Sequence, residues 1–227
     1  MMPPPEFYGA EELHFPEHPD RPHIIFNMVS SVDGKTTTYQ GSLTGLGSAH
    51  DRRVMRRIRS QVDGILVGGN TIRHDRFVPT VTEGKQPLAV VVTRSGNFTG
   101  EHPFWRGDYP RVIFVPTGIS VPEWLKLQSI VREFTGDLGE VIQILFIEFA
   151  VKVLLVEGGA NLNYELISQG YGDEFFLTVS PLLVGGKDNY PILGGEGWGM
   201  GDRGRQLQLV SVYPVENELY LRYRFCS

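Results

Sequence analysis

A mixed α/β fold, mostly parallel in its sheet, flanked by helices and closed by an antiparallel hairpin, is predicted by three features of this 227-residue sequence. Two apolar runs stop abruptly at charged and glycine residues, at Ser31-Val32-Asp33-Gly34-Lys35 and at Glu157-Gly158-Gly159-Ala160-Asn161, where open α/β sheets place their ligands. Between them, short β-branched runs alternate with helical periodicities. The tail then changes to two alternating runs separated by turn residues.

Taken in order, residues 1–22 are proline-rich with scattered acids and read as an extended N-terminal arm, one that could cross a neighbouring subunit; residues 23–227 read as a single domain. His23 to Ser30 is a strand rich in Ile, Phe and Val, and Thr36 to Gly47 is a polar loop. Ser48 followed by Asp51 fits a capping box, opening a helix that runs through Gln61. Gly64 to Gly68 is a short buried strand. Gly68-Gly69-Asn70-Thr71 is then a second strand-to-helix turn, completing a βαβ unit.

Leu88 to Thr93 and Val112 to Val115 are two more core strands, joined by a loop with Pro103, Trp105 and Pro110. Residues 139–149 suit a helix, Lys152 to Val156 a strand, Asn161 to Gln169 a helix closed by Gly170, and Asp173 to Val179 a strand. Leu207 to Tyr213 and Leu219 to Phe225 form the hairpin.

Composition narrows the function classes. A formal charge of −5 argues against a nucleic-acid surface, which needs a broad basic field. The local cluster of Arg52, Arg53, Arg56, Arg57 and Arg59 could bind phosphate, but is more simply the solvated face of a helix whose buried stripe is Val54, Met55, Ile58 and Val62. Cys226 is the only cysteine, so no internal disulfide and no metal site of paired thiolates can form. The six histidines are scattered, and no metal is expected. With no signal-like start and no apolar stretch near the ~18 residues a bilayer span needs, no membrane contact and a cytoplasmic setting are expected.

The glycine corners carry the candidate chemistry. Gly158-Gly159 and Gly68-Gly69 fit either tight turns or phosphate cradles; neither is the three-glycine dinucleotide fingerprint or a Gly-Lys-Ser/Thr loop. Asp33 and Lys35 flank a glycine that can aim both side chains at one point. They read either as a proton-transfer pair or as an ordinary Asp-Gly turn. Asp75 and Glu157 are further acids at element ends.

The runs NMVSSVDGKTTTYQG, RIRSQVDGILVGGNTIRHD and LLVEGGANLNYELISQGYGDEFFLTVSPLLVGG, with the closing hairpin, resemble the reductase domain of riboflavin biosynthesis, which occurs alone or fused behind a deaminase. The resemblance spans roughly residues 23 to 225. It implies a dihydrofolate-reductase-like fold, a homodimer, and NADPH-dependent reduction of the ribosyl group of a 5-amino-6-ribosylamino-pyrimidine 5′-phosphate to its ribityl form.

Carried over by position, Val29, Gly45, Gly68, Gly69, Thr71, Asp75 and the stretch Gly158, Gly159, Ala160, Asn161 and Leu162, continuing to Glu165, would line the NADPH site. Arg59 and Glu157 would face the substrate phosphate, and Asp33, Lys35 and Asp75 would be the catalytic polar groups. The family continues from Asp75 as Asp-Asp-Pro-x-Leu-Thr-x-Arg, whereas this chain reads Asp75-Arg76-Phe77-Val78-Pro79-Thr80-Val81-Thr82. The usual phosphate-holding arginine is missing. Arg76, Arg73 or the cluster near Arg53 must take its place, or the substrate is another heterocycle or a pterin. A non-catalytic NADPH-binding protein is the remaining alternative. A zinc deaminase half cannot be built from one cysteine.

Overall fold

The computed structural model describes residues 6–9, 11–37, 45–81, 84–199 and 202–226, so most of the loop expected at Thr36 to Gly47 lies outside the described residues. In chain order the elements are β1 His23–Ser31, α1 Ala49–Arg59, β2 Gly64–Gly68, α2 Gly69–His74, β3 Leu88–Val92, α3 Pro103–Arg106, β4 Arg111–Pro116, α4 Glu123–Gln128, β5 Ile130–Phe134, α5 Leu138–Glu148, β6 Val153–Val156, α6 Ala160–Ser168, β7 Glu174–Ser180, β8 Leu207–Val215 and β9 Glu218–Phe225.

These boundaries follow local chemistry. The Ser48 hydroxyl accepts from the amides of His50 and Asp51 at 3.1 Å, capping α1, while its own amide and hydroxyl donate to Glu218 at 3.1 and 2.6 Å. Asp137 caps α5 through the amide of Gly139 at 2.9 Å. Gly170, at φ +84°, closes α6, with its amide on Ile167 O and that of Tyr171 on Leu166 O. The elements α3, α4 and β5 were not expected. The helices have four and six residues, too short for a periodic signal, and β5 is only partly buried and shows no apolar run.

The chain divides into two compact units. The first holds the described residues of Met1–His14, Ile24–Met55 and Gly158–Ser227, and the second holds Phe15–His23 and Arg56–Glu157. In the second, five strands run parallel in the order β5-β4-β3-β2-β6. β2 and β3 are buried through their centres, as parallel strands covered on both faces must be.

In the first unit β1 pairs in parallel with β7, β7 pairs antiparallel with β9, and β9 closes the hairpin with β8 across Glu216-Asn217. Glu174 and Arg222 form a buried pair across this sheet, at 2.7 and 3.0 Å. The segment expected as an extended arm has no helix or strand among its described residues and packs on this sheet. Phe7, Tyr8 and Leu13 are buried, with Phe7 stacked on Tyr213 at 4.6 Å and Tyr8 edge-on to Phe176 at 5.0 Å.

Candidate active site

In the first unit, β1 delivers Val29, half-buried and paired with Thr178, and ends at Ser31. The chain turns there because Ser31 N–H donates to Lys35 O and Gly34, at φ +79°, donates to Ser31 O. Asp33 is bound by the segment that follows β7. Its carboxylate accepts from the amides of Val184 and Gly185 at 2.9 and 2.7 Å and from the Ser31 hydroxyl at 2.7 Å. Those donors, led by Val184, hold its carboxyl down to about 2. Lys35 Nζ donates to Asn189 O at 3.2 Å, so these two residues do not form the carboxylate–ammonium pair that was one expectation.

Gly158, at φ +88°, and Gly159 lead into α6 through a cis peptide bond. Gly159 is the N-cap and no side chain caps the helix, whose first turn carries no acid. The leading amides of a helix lack intrahelical partners and sit at its positive end, so this turn suits an anionic group. Ala160 and Leu162 are buried, and Asn161 Oδ1 accepts from Gly195 N–H at 3.1 Å. Asn163 is fully buried. Its Nδ2 donates to Ile192 O at 3.2 Å and to Met28 Sδ at 3.4 Å, while its Oδ1 has no partner among the described residues. Gly45 is in a left-handed turn, φ +93°, with open space where a side chain would stand.

In the second unit Gly68 caps α2 in extended conformation, again without a side-chain cap. Gly69 is forced by packing, since a Cβ there would sit 2.8 Å from Thr93. Thr71 O accepts the amide of Asp75, which ends α2. The half-buried Asp75 carboxyl is raised above the usual carboxylate range by burial, opposed by the Arg76 amide and by the charges of His102 and Arg59. His102 fastens this end: its Nδ1 accepts from Phe104 N–H at 3.1 Å, which leaves Nε2 to donate to Asp75 O.

Arg59 corrects the solvated-face reading of the arginine cluster. Arg52, Arg53 and Arg56 are exposed, but Arg59 is buried and bound to Glu157, with a further bond from Nη1 to Val78 O at 2.9 Å. Much of its donor capacity is thus spent inside the unit. Arg76 is exposed, and Arg73 is tied to Asn70 Oδ1 at 2.8 Å and Asn97 O at 3.2 Å.

Sequence reasoning missed two parts of this arrangement. His102 carried no signal beyond its place before Pro103. The segment 181–199 carried one, six glycines between 185 and 199, and it ties β1's corner to α6 through Asn189, Tyr190, Ile192 and Gly195.

The strand corners and the mixed, mostly parallel strands define an α/β chain, and comparison with known proteins gives its class, an oxidoreductase. Residues 22–221 match the RibD C-terminal domain, and the chain belongs to that family. It is 27% identical over 212 residues to a Methanothermobacter thermautotrophicus protein named 2,5-diamino-6-ribosylamino-4(3H)-pyrimidinone 5′-phosphate reductase, covering 89% of this chain and 98% of that one. An Aquifex aeolicus protein of the same name is 30% identical over 192 residues, covering 79% and 85%. Among solved structures, Acinetobacter baumannii RibD shares the fold with a TM-score of 0.80 at 19% identity, over 92% of this chain and 59% of that chain. The Saccharomyces cerevisiae riboflavin biosynthesis reductase Rib7 gives 0.74 at 16% identity, over 93% of each.

Proposed function

We propose that this chain is an NADPH-dependent reductase of riboflavin biosynthesis, converting the ribosyl group of a 5-amino-6-ribosylamino-pyrimidine 5′-phosphate to the ribityl form, as a cytoplasmic homodimer. The observation that carries the reading is similarity along nearly the whole length of two proteins named for that reaction on the pyrimidinone. The described residues contain no helix long and apolar enough to cross a membrane.

The uncapped, acid-free start of α6 after Gly158-Gly159 fits the cofactor's phosphates, with Val29, Gly45, Ala160, Asn161 and Leu162 assigned to the same ligand. Gly68, Gly69 and Thr71 are assigned to it by resemblance. The chemistry that NADPH would supply when held there is a hydride for C1′ of the ring-opened sugar. Asp75, raised by burial, holds a proton on its carboxyl nearer neutrality than an exposed aspartate would, which suits it to protonating the sugar as the ring opens. Lys35 offers an ammonium, with one donor on Asn189 O and the rest available to a polar group at the reacting carbon.

Arg59, Glu157 and Arg76 are assigned to the substrate. The commitment of Arg59 to Glu157 and Val78 O gives a specific ground for a second reading, a reductase of the same fold acting on a different heterocycle. The experiment is NADPH oxidation with the diaminopyrimidinone and the aminouracil ribosylamine phosphates. Turnover of either supports the first reading, and none with either sinks it. Light scattering on the purified chain tests the dimer.

A further inference from the structure

We propose that Asp33 is a positioning residue, which fixes the ammonium of Lys35 through a relay of hydrogen bonds running across the 181–199 segment. The proposal rests on the reductase reading for the role it gives Lys35.

The relay is continuous. Gly185 N–H donates to Asp33 Oδ2 at 2.7 Å, Asn189 Nδ2 donates to Gly185 O at 2.9 Å, and Lys35 Nζ donates to Asn189 O at 3.2 Å. Asp33 Oδ1 adds a second hold on the same segment through Val184 N–H at 2.9 Å. The turn between Gly185 and Asn189 begins with a glycine whose conformation favours no side chain. Gly186 is at φ +78°, and a Cβ there would lie 2.7 Å from Asn189 Nδ2, the middle donor of the relay.

Further contacts keep both ends in register. Thr36 N–H donates to Tyr190 O at 2.8 Å, Tyr190 N–H donates to Thr37 Oγ1 at 2.8 Å, and Lys35 forms a β-bridge with Pro191. Lys35 N–H also donates at 2.9 Å to the Ser31 hydroxyl, which in turn donates to Asp33. An aspartate whose oxygens accept from three protein donors keeps its charge across the neutral range. It therefore serves as an anchor and not as a proton shuttle.

The test uses Asn189→Ala, which cuts the relay without touching either end, and Asp33→Asn, each in the full chain with NADPH and the diaminopyrimidinone substrate. Each is expected to lower kcat about tenfold, with KM for NADPH changed less than about twofold, because a misplaced group costs turnover more than cofactor binding. In a Lys35→Met background neither change should lower the residual rate further, since the relay has nothing left to position. The pH–rate profile of Asp33→Asn should keep both limbs. Additive losses in the Lys35→Met background, a wild-type kcat in Asn189→Ala, or a lost limb in Asp33→Asn would overturn the proposal.

A readout independent of turnover separates this idea from the reductase reading. After reductive methylation with carbon-13, the Lys35 signal, assigned by its loss in Lys35→Met, should move toward the free-lysine position in both relay variants. An unmoved signal overturns the relay even if the chain turns over; a wild-type chain without turnover sinks the reductase reading while this signal still decides the relay.

Discussion

Arg59 and Glu157, 98 positions apart in sequence, form a two-pronged ion pair: Nε and Nη2 reach the two carboxylate oxygens at 2.8 and 2.6 Å, and the side chains are 6% and 7% exposed. The guanidinium also lies over the Phe77 ring, 5.3 Å from its centroid. A buried pair of this kind is balanced by mutual satisfaction, so removing one partner strands a charge in a low-dielectric site.

Arg59→Met is therefore expected to cost about 3–5 kcal/mol of folding stability, read by urea denaturation of the chain. Arg59→Met combined with Glu157→Leu should recover most of that loss. A single variant as stable as wild type would mean that the pair is not buried in solution.

Asp75→Asn is expected to remove turnover while raising the melting temperature at neutral pH. Burial raises the Asp75 carboxyl in the folded chain, so the folded state holds its proton more tightly than the unfolded one. Stability is then lost as pH rises through the window between the unfolded and folded values, and the ionised form carries a penalty above it. Asparagine lacks that penalty. Its advantage should vanish below about pH 4, where the unfolded carboxyl is also protonated. Thermal melts across pH decide it, and an advantage that persists in acid would be inconsistent with this origin.

Asp33 should behave in the opposite sense. Its carboxyl is held down to about 2, so its contribution is complete above the unfolded value and is lost only as pH falls through the folded one. Hydrogen exchange at the Val184 and Gly185 amides should stay slow at pH 3. Fast exchange at both there would contradict the anchor.

Gly69→Ala is expected to destabilise by about 1–3 kcal/mol, the usual cost of overpacking, because the new methyl meets Thr93 at 2.8 Å. Chemical denaturation measures it. Gly45→Ala meets no neighbour but must hold φ +93°, so its cost comes from the backbone alone.

Which of these features the sequence displayed depended on how local their causes are. The β1 corner, the β2 strand and the hairpin are specified by residues within a few positions of one another, and they were legible. Arg59 was not, because on helical spacing it sits among four other arginines and only the distant Glu157 distinguishes it. The capping box at Ser48 was half legible: the hydroxyl caps as expected, but the Ser48 amide is satisfied by Glu218 from β9, 170 residues away. The direction of Asp33 was invisible for the same reason, since its partners Val184 and Gly185 lie in a glycine-rich segment without periodicity.

The stacking of Phe7 on Tyr213, with Tyr8 against Phe176, gives the residues before β1 a structural duty. A shortened version beginning at His23 would uncover a wet, aromatic-lined scar on the hairpin sheet. Engineers trimming the chain for expression or crystallisation should therefore expect clumping from that end, and tags are better attached at the other terminus.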